Sequence, residues 1–499
     1  MPEMDSSFLE LPFRRLAEAA LARAAQLGAD YADFRFERDR HQGISVRDTS
    51  LESMVTAETL AYSVRVVHRG TWGFASSVTL TADGAAATAA AAVEVAATLA
   101  PLNREPVELA AEPVHRGTWV SSFELDPFSV PDDEKVAYFI GVNEKALASG
   151  KIDHVDFGAS LVQENKYFAS SEGTETTQQR VRVLGEFDAT KIDHDSGAFE
   201  TMRSNGLPQG RGWEHFASGY DYLAAAEEIP ALLEEKMAAP SVEPGRYDLV
   251  IHPSNLWLTI HESIGHATEL DRALGYEAAY AGTSFATLDK LNRLQYGSSF
   301  MHVTGDRTVE HGLATVGYDD EGVAGQTWDL IKDGVLAGYQ LNRQMALKQG
   351  FGRSNGCAYA ESGAAVPLQR MPNVSLQPGA DELDLDDLIG SVDNGIYIVG
   401  DKSWSIDMQR YNFQFTGQQF WRIRNGRLAG QLKDVAYQAT TTDFWNSMSA
   451  AGGPSTYVLG GAFNCGKGQP GQAAPVSHGA PVAVFRQVNV LNTAREGAL

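Results

Sequence analysis

Two short segments in the second half of the chain, "LIKDGVLAGYQ" and "RIRNGRLAGQL", constrain the fold more than any other feature. Each places a D-G or N-G pair between two strand-like runs. These pairs readily adopt the positive backbone angles of the tight turns that join antiparallel strands. The surrounding sequence is also rich in glycine, aromatic and β-branched residues. We therefore expect the second half to be mainly antiparallel β.

The first half instead alternates helix-like and strand-like segments. "FLELPFRRLAEAALARAAQLG" has helical spacing, whereas "DYADFRFERDR" and "LAYSVRVVHRG" alternate as half-buried strands do. A stretch containing proline and glycine, from Val242 to Gly245, precedes a new strand and favours a domain boundary there. The sequence thus predicts an α+β protein with a mixed α/β N-terminal domain, residues 1–242, and a mainly antiparallel β C-terminal domain, residues 243–499.

The segment "LTIHESIGHATEL" is the chief helix expected in the C-terminal domain, and it carries His261 and His266. Residues four apart on a helix lie about 40° apart around its axis, but residues five apart lie about 140° apart. A π-bulge, which adds one residue to a turn, would return both histidines to one face, and such bulges tend to mark functional sites. Gly265 lowers the cost of that distortion. We therefore predict a widened turn and a metal-binding helix.

Glu262, between the two histidines, has a chemical reason to be there. A zinc ion lowers the pKa of a bound water to about 7. A nearby carboxylate can then take the proton and pass it to a leaving amine. We expect His261 and His266 to be metal ligands and Glu262 to be the base.

A catalytic zinc site usually has three protein ligands, and this segment supplies only two. The spacing of residues in the sequence does not identify the third ligand. The candidates that could donate to a metal are Glu269, Glu277, His302, His311, Cys357, Glu361 and Cys465. Cys465 lies in a glycine-dense segment expected to be a loop, where Lys467 would favour the thiolate. For Cys357 we expect a buried, unreactive thiol.

The same segment matches a phosphate-binding pattern, because "GAFNCGK" fits G-x-x-x-x-G-K. The next residue is Gly468 rather than Ser or Thr, and "QPGQAAP" cannot begin a helix. Since the strand, loop and helix context is missing, we do not expect nucleotide binding.

Charge and cysteine content bear on which partners the chain can bind and where it is located. Its 499 residues carry a formal net charge of -24, which argues against binding to nucleic acid or to an anionic membrane. Two cysteines cannot build a disulfide framework, so a cytoplasmic location is expected. The alanine-rich run from Gly84 to Ala100 contains Glu94 and little bulk, and we interpret it as a packed helix rather than a membrane span.

Several motifs together resemble one family. "HESIGHATELD", "DDEGVAGQTWDLIKDGVLAGYQLNRQMA", "RMPNVSLQPG", "NGIYIVG" and "NCGKGQP" follow one another in the order seen in the TldD/PmbA family, and "DYADFRFE" is similar to the start of that family's first domain. TldD-like members carry H-E-x-x-x-H and are metallopeptidases, whereas PmbA-like (TldE) members lack it. This chain resembles the TldD type.

The resemblance implies a site and partners. It implies zinc held by His261, His266 and Cys465, with Glu262 as the catalytic glutamate. It also implies a heterodimer with a PmbA/TldE-like paralogous subunit, with a homodimer as the other possibility, and a peptide bound as an extended strand. The stretch "GRSNGCAYAESGAAVP" is less basic than expected for the family, which leaves substrate preference open.

The sequence therefore predicts a zinc-dependent metallopeptidase that hydrolyses peptides or unfolded polypeptide segments. Two alternatives stay open. One is a zinc amidase acting on a small amide. The other is a non-catalytic, peptide-binding assembly subunit in which the zinc is structural.

Overall fold

The computed structural model describes residues 2–468 and 470–496. Its first half is a mixed sheet with helices packed on it. The elements, in chain order, are α1 (Ser6–Leu9), α2 (Phe13–Gln26), β1 (Tyr31–Arg47), β2 (Ser50–His68), β3 (Thr71–Ser77), α3 (Ala82–Leu99), β4 (Arg116–Val120), α4 (Asp132–Leu147), β5 (His154–Ser170), β6 (Glu175–Ile192), β7 (Phe199–Arg203) and α5 (Tyr222–Ala238).

These strands form a seven-stranded sheet in the order β3-β2-β1-β5-β6-β4, with β7 also on β6. All pairs are antiparallel except β4 with β6. The two strands predicted from alternation are β1 and β2, and both are longer than their patterns indicated. α2 and α3 bury one apolar cluster against the sheet, and α4 and α5 bury a second.

The alanine-rich helix α3 has the composition of a membrane-spanning helix but is packed against the first sheet. The segment Ala82–Leu102 is long and apolar enough, by length and composition, to cross a membrane. In this structure a small-residue face that includes Ala85, Ala89, Ala92 and Ala96 is buried in the cluster shared with α2. Gly73 of β3 lies so close to α3 that an added Cβ would fall 1.9 Å from the Ala92 carbonyl oxygen. The helix is packed on the sheet, as the sequence predicted.

The second half is richer in short strands. Its elements are β8 (Gly245–Ile251), α6 (Pro253–Ile260), α7 (Leu270–Ala273), β9 (Val303–Asp306), β10 (Thr327–Lys332), β11 (Val335–Leu336), α8 (Arg343–Lys348), β12 (Ala358–Tyr359), β13 (Leu368–Gln369), β14 (Asn373–Leu376), α9 (Leu385–Gly390), β15 (Asn394–Ile406), β16 (Asn412–Arg424), β17 (Arg427–Leu432), β18 (Val435–Thr440), α10 (Thr441–Asn446), β19 (Met448–Ala451), β20 (Val458–Lys467), β21 (Gln472–Ala480), β22 (Ala483–Asn492) and α11 (Thr493–Glu496).

A barrel-like sheet organises this half. Its order is β15-β8-β22-β18-β16-β17, with β19 on β22, and β15 also pairs with β16. That last pairing closes a ring of five strands. All its pairs are antiparallel except β8 with β15. β20 and β21 form a separate two-stranded ribbon. The predicted fold class, a mixed α/β half followed by a mainly antiparallel β half, is confirmed.

Both hairpins predicted from D-G and N-G pairs are present. Asp333 and Gly334 join β10 to β11 with φ angles of 50° and 75°. Asn425 and Gly426 join β16 to β17 with φ angles of 49° and 72°. Positive φ at both central positions is what the twist of an antiparallel pair requires.

Helix α6 positions the candidate site. It follows β8 directly, and every one of its residues is buried. The His252 side chain caps it by accepting a hydrogen bond from the Ser254 amide at 3.1 Å, and Pro253 occupies its first turn. Its apolar residues Leu256, Trp257, Leu258 and Ile260 belong to the largest hydrophobic cluster, which fixes the C-terminal end of the helix.

Candidate metal centre

The chain widens into a π-helical turn directly after α6. This turn spans His261–Gly265 and is followed by a short 3-10 turn, His266–Thr268. The widened turn predicted from the five-residue spacing is thus confirmed. Its carbonyl groups find partners outside the helix, because the Tyr296 hydroxyl donates to Ser263 O and the Gln340 amide donates to Gly265 O.

Gly265 has a further reason for being glycine. Its φ of -53° is ordinary helical backbone, so left-handed geometry does not require it. An added Cβ would lie 2.5 Å from the Met371 sulfur. Close packing against Met371, rather than backbone freedom alone, selects glycine here.

Three side chains converge at this turn. One donor atom each from His261, His266 and Cys465 lies within 4.8 Å of the others. The Cys465 sulfur is 3.6 Å from His266 Nε2. With Zn–S near 2.3 Å, Zn–N near 2.0–2.1 Å and tetrahedral angles, a sulfur and a nitrogen on one zinc lie about 3.6 Å apart. The residues therefore fit a shared zinc ion.

Cys465 reaches the site from a strand, so the expectation of a loop was wrong. It lies on β20, opposite Ala474 of β21, beyond an irregularity in register between Ala462 and Cys465. The buried Arg370 guanidinium donates to the Cys465 carbonyl oxygen at 2.5 Å. The bulged ribbon and this arginine fix where the thiol lies.

The expected action of Lys467 on the thiol was also wrong. Its Nζ donates to Glu269 at 3.2 Å, to Asp271 at 2.9 Å and to the Gln369 carbonyl at 2.7 Å. These three acceptors use the ammonium group fully, because it has three donors. Lys467 thus neutralises carboxylates behind the site instead of contacting Cys465.

The pKa shifts of the three candidate ligands favour the forms that bind a metal. Burial lowers the pKa of His261 to about 4 and also lowers the pKa of His266, so both imidazoles are neutral near pH 7. Burial alone would raise the pKa of the Cys465 thiol, but His266 and Arg370 bring it below its ordinary value. Neutral imidazole and thiolate are the forms that bind zinc.

His478, which the sequence analysis missed, orients His261. His478 Nδ1 lies 2.8 Å from the Val374 carbonyl oxygen, which can only accept, so Nδ1 carries the proton. His478 Nε2 is then an acceptor, and it lies 2.8 Å from His261 Nδ1. His261 must donate from Nδ1, which leaves its Nε2 lone pair free for a metal.

Glu269 does the same for His266. Its Oε2 lies 2.9 Å from His266 Nδ1, which leaves His266 Nε2 facing Cys465. Burial would raise the pKa of the Glu269 carboxyl, but Lys467, Arg272 and His266 hold it well below the usual range. Glu269, one of the candidate third ligands, therefore orients the candidate ligand His266.

The other candidates are held elsewhere by their own partners. His302 pairs with Asp333 at 3.3 Å, His311 Nδ1 lies 3.3 Å from the Gly210 carbonyl oxygen, and Glu361 accepts from the Ala473 amide at 2.7 Å. Glu277 is buried beside Lys467 and outside the three-residue cluster. Cys357 is fully buried and burial raises its pKa to about 12, as expected for an inert thiol.

Glu262 lies beside the cluster without belonging to it. Its Oε2 accepts a hydrogen bond from Arg410 Nη1 at 2.6 Å. Arg410 is a second residue that the sequence analysis missed. The side chains of His261, Glu262, His266 and Cys465 all belong to residues only 4–6% exposed. The site is thus enclosed, with its charged groups paired.

Two features outside the cluster offer no further ligand site. The segment Gly461–Lys467, which mimics a phosphate loop, lies within strand β20, so its backbone amides do not form a loop before a helix. Away from the candidate site, the carboxylates of Glu37, Asp39 and Glu164 lie close together on the first sheet, where Arg180 donates to both oxygens of Glu164. Lys166 lies 3.3 Å from both Glu37 and Glu164, so protein cations already pair with two of the three.

Comparison with known proteins identifies the family. Residues 244–492 match the model described as the PmbA/TldA metallopeptidase C-terminal domain, and residues 32–96 match PmbA/TldA metallopeptidase domain 1. The chain is 27% identical to a metalloprotease of Methanothermobacter thermautotrophicus over 93% of this chain and 96% of that protein. It is 22% identical to a zinc metalloprotease TldD homolog of Saccharolobus solfataricus over 94% and 98%.

Solved structures agree on the fold. A crystal structure of a putative modulator of a DNA gyrase from Thermotoga maritima superposes with a TM-score of 0.76 at 15% identity, covering 96% of this chain and all of that one. TldE from Thermococcus kodakarensis superposes with a TM-score of 0.71 at 15% identity, covering 95% and 99%. On these matches, the chain belongs to the TldD/PmbA family of metallopeptidases.

Proposed function

We propose that this protein is a zinc-dependent metallopeptidase that hydrolyses peptides or unfolded polypeptide segments. One observation carries the proposal: His261, His266 and Cys465 bring three donor atoms within 4.8 Å of one another, with Glu262 beside them. The zinc metalloprotease name of a relative similar over nearly the whole chain supports zinc as the metal.

The chain's own residues would hold the metal and move the proton. His261 and His266 would each bind through Nε2, since His478 and Glu269 engage the two Nδ1 atoms. When bound, zinc supplies a Lewis acid that polarises a carbonyl group and makes a water nucleophilic near neutral pH. Glu262 would accept a proton from the attacking water and later deliver it to the leaving nitrogen. The peptide C–N bond breaks, and a carboxylate and an amine result.

The alternative of a purely structural zinc is less well supported. Structural zinc sites usually have four protein ligands, whereas catalytic sites keep one position open. In residues 2–468 and 470–496, the cluster of close donors contains three residues and no fourth. The neutral fourth neighbour, His478, faces the Nδ1 side of His261 instead.

The alternative of a small-amide hydrolase rests on the enclosure of the site. The candidate ligands and Glu262 belong to residues only 4–6% exposed, and a closed pocket favours a small amide whereas a strand-accepting groove favours a peptide. We favour peptides because the family and its named relatives are metallopeptidases.

Together with this function we propose a partner, a cellular location and a domain boundary. The paralogous partner is a PmbA/TldE-like subunit, supported by the fold likeness to a TldE structure. The location is cytoplasmic, which fits two free cysteines, one of them needed as a thiolate. The boundary between domains 1–242 and 243–499 is supported by the largest apolar cluster, whose fully buried members come from Val242 onward except for Ala110.

The test is zinc-dependent hydrolysis by the full chain, alone and mixed with the paralogous subunit. A denatured protein and a series of small amides are offered before metal removal, after chelation and after zinc is restored. We expect cleavage of the denatured protein to stop on chelation and to return with zinc. Cleavage of small amides alone would favour the amidase, and one bound zinc without any hydrolysis would favour the structural role.

A further inference from the structure

Arg410 reaches Glu262 from a tightly held turn. It lies between β15 and β16 with a φ of 63°, in the left-handed region. The Asp407 carboxylate accepts hydrogen bonds from the Gln409 and Tyr411 amides, and the Thr441 hydroxyl donates to the Arg410 carbonyl at 2.8 Å. A non-glycine residue in this conformation costs free energy and is often kept at functional sites. The fold therefore fixes the backbone position from which the Arg410 side chain extends.

The guanidinium group of Arg410 is only partly used. Nη1 donates to Glu262 Oε2 at 2.6 Å and Nη2 donates to the Ala281 carbonyl at 3.2 Å. Nε is buried and, among the residues that the structure describes, has no acceptor. A buried donor without a partner is costly, so this arrangement is not the most favourable one available to a guanidinium with five N–H groups.

The hydrogen bond from Arg410 engages the carboxylate of Glu262, the proposed general base. In the described part of the chain, the hydrogen bond from Arg410 is the one bond to the Glu262 carboxylate. The guanidinium therefore lies against the carboxylate that would have to approach a water, with Nη1 2.6 Å from Oε2. A guanidinium that moved from Glu262 to a substrate oxygen would leave both carboxylate oxygens free for that water.

A bound peptide would offer the guanidinium another acceptor. Residues 281–285 and 407–411 are joined by Thr283 N donating to Met408 O at 2.7 Å and Phe285 N donating to Gln409 O at 2.8 Å, which holds the Arg410 turn in place. Glu262 belongs to the buried helical turn. With both backbones held, rotation about the bonds of the long Arg410 side chain would move the guanidinium from the carboxylate to the carbonyl oxygen of a peptide bound beside it.

We infer that Arg410 is a catalytic residue that donates a hydrogen bond to the carbonyl oxygen of the peptide bond being cleaved. The inference rests on the peptidase function proposed above. As the water oxygen bonds to the carbonyl carbon, the C=O π pair moves onto the carbonyl oxygen and one water proton moves to Glu262. The guanidinium then faces a new negative charge, while the carboxylate it left has become neutral. When the C–N bond breaks, the oxygen regains its double bond, the proton leaves Glu262 for the nitrogen, and Arg410 can pair with Glu262 again.

The test compares Arg410→Met, Arg410→Lys and a matched surface control, Arg427→Met, whose arginine is exposed beside the β16–β17 turn. Each full-length, zinc-loaded variant is assayed for kcat and KM on an unfolded peptide, with the paralogous subunit present where the parent chain needs it. Loss of one donor to an oxyanion typically lowers kcat by about 10²–10³-fold. We expect that loss in Arg410→Met with KM little changed, a smaller loss in Arg410→Lys, and none in the control.

A binding measurement separates this role from a structural one. A phosphinic peptide carries the tetrahedral, anionic group that the cleaved bond acquires in the transition state, so its affinity should fall in parallel with kcat in Arg410→Met. Zinc content and the affinity for the uncleaved peptide, measured with Glu262→Gln in the same chain, should stay unchanged. Parental kcat or parental phosphinate affinity in Arg410→Met would overturn the inference and leave the peptidase proposal standing. A parent chain that binds zinc but hydrolyses no peptide would overturn both.

Discussion

Replacing Glu262 with glutamine separates catalysis from metal binding. Glutamine keeps the size of the side chain and one acceptor oxygen, but it cannot take a proton near pH 7. Glu262 is not among the three close donors, and its recorded contact is with Arg410. We therefore expect the variant to bind zinc with an affinity close to that of the parent chain.

The magnitudes follow from the contacts. A positioned general base contributes roughly 10²–10⁴ in rate, or about 3–5 kcal/mol of the barrier, so kcat should fall by that factor. The ion pair with Arg410 is nearly buried, with side chains 7% and 14% exposed. Because the amide oxygen still accepts from the guanidinium, the free energy of unfolding should fall by only about 1–2 kcal/mol.

Glu269→Gln is the matched control, since Glu269 is also a buried glutamate of the same segment but bonds to His266 Nδ1. Losing the partner of a ligating histidine typically weakens metal binding about 10–100-fold. The assay measures zinc affinity by competition with a chelating dye, turnover of an unfolded peptide, and folding by circular dichroism. Near-parental turnover in Glu262→Gln would refute its role as base. Zinc loss in Glu262→Gln would show that it is a ligand or supports one.

Three further outcomes are expected. Cys465→Ser should weaken zinc affinity by more than the roughly 10–100-fold typical of a lost supporting residue. Cys357→Ser should leave zinc affinity unchanged. Equal zinc retention in the two variants would mean that the third ligand lies elsewhere. His478→Leu should weaken zinc binding by about 10–100-fold and His478→Gln by less, since an amide oxygen still accepts from His261; identical zinc affinity in all three chains would exclude an orienting role. Burial lowers the pKa of His252 to about 4, whereas a histidine in the unfolded chain has a pKa of about 6.5. Between these pH values the unfolded chain takes up a proton that the folded chain excludes. The free energy of unfolding should therefore fall by up to about 3 kcal/mol from this residue as the pH is lowered from about 6.5 to about 4. Urea melts across that range should show a flatter pH dependence for His252→Gln, and an unchanged slope would contradict the assignment.

Local features of the site were predictable because they depend on short-range geometry. The five-residue spacing of His261 and His266 predicts a widened turn if both face one metal, and the turn is there. The D-G and N-G pairs fix their hairpins for the same reason, because positive φ at adjacent positions is a property of those residues.

The rest of the site depends on contacts between distant parts of the chain. Cys465 lies 199 positions from His266, His478 lies 217 from His261, and Arg410 lies 148 from Glu262. Spacing carries no signal over such distances. The one available hint for His478 was its position in "PVSHGAPVAVF", a strand-like run in which a histidine has to be buried and therefore needs polar partners.

Cys465 was assigned to a loop because its segment is dense in glycine. In the structure Gly460 and Gly461 lie within β20, and an added Cβ at Gly461 would fall 2.2 Å from the Val476 carbonyl oxygen. Gly461 allows close approach between two strands, and Gly460 packs against Trp257 and Leu207, so neither serves a turn. Composition alone could not distinguish these packing roles from a loop.

The central claim is that His261, His266 and Cys465 share one zinc ion with an open position. X-ray absorption at the zinc edge, on the full chain loaded with zinc, tests it directly. We predict about one zinc per chain, one sulfur near 2.3 Å, two imidazole nitrogens near 2.0–2.1 Å and a light oxygen ligand, with the sulfur lost in Cys465→Ser. A zinc shell without sulfur, a shell filled by four protein ligands, or no zinc uptake would contradict the account.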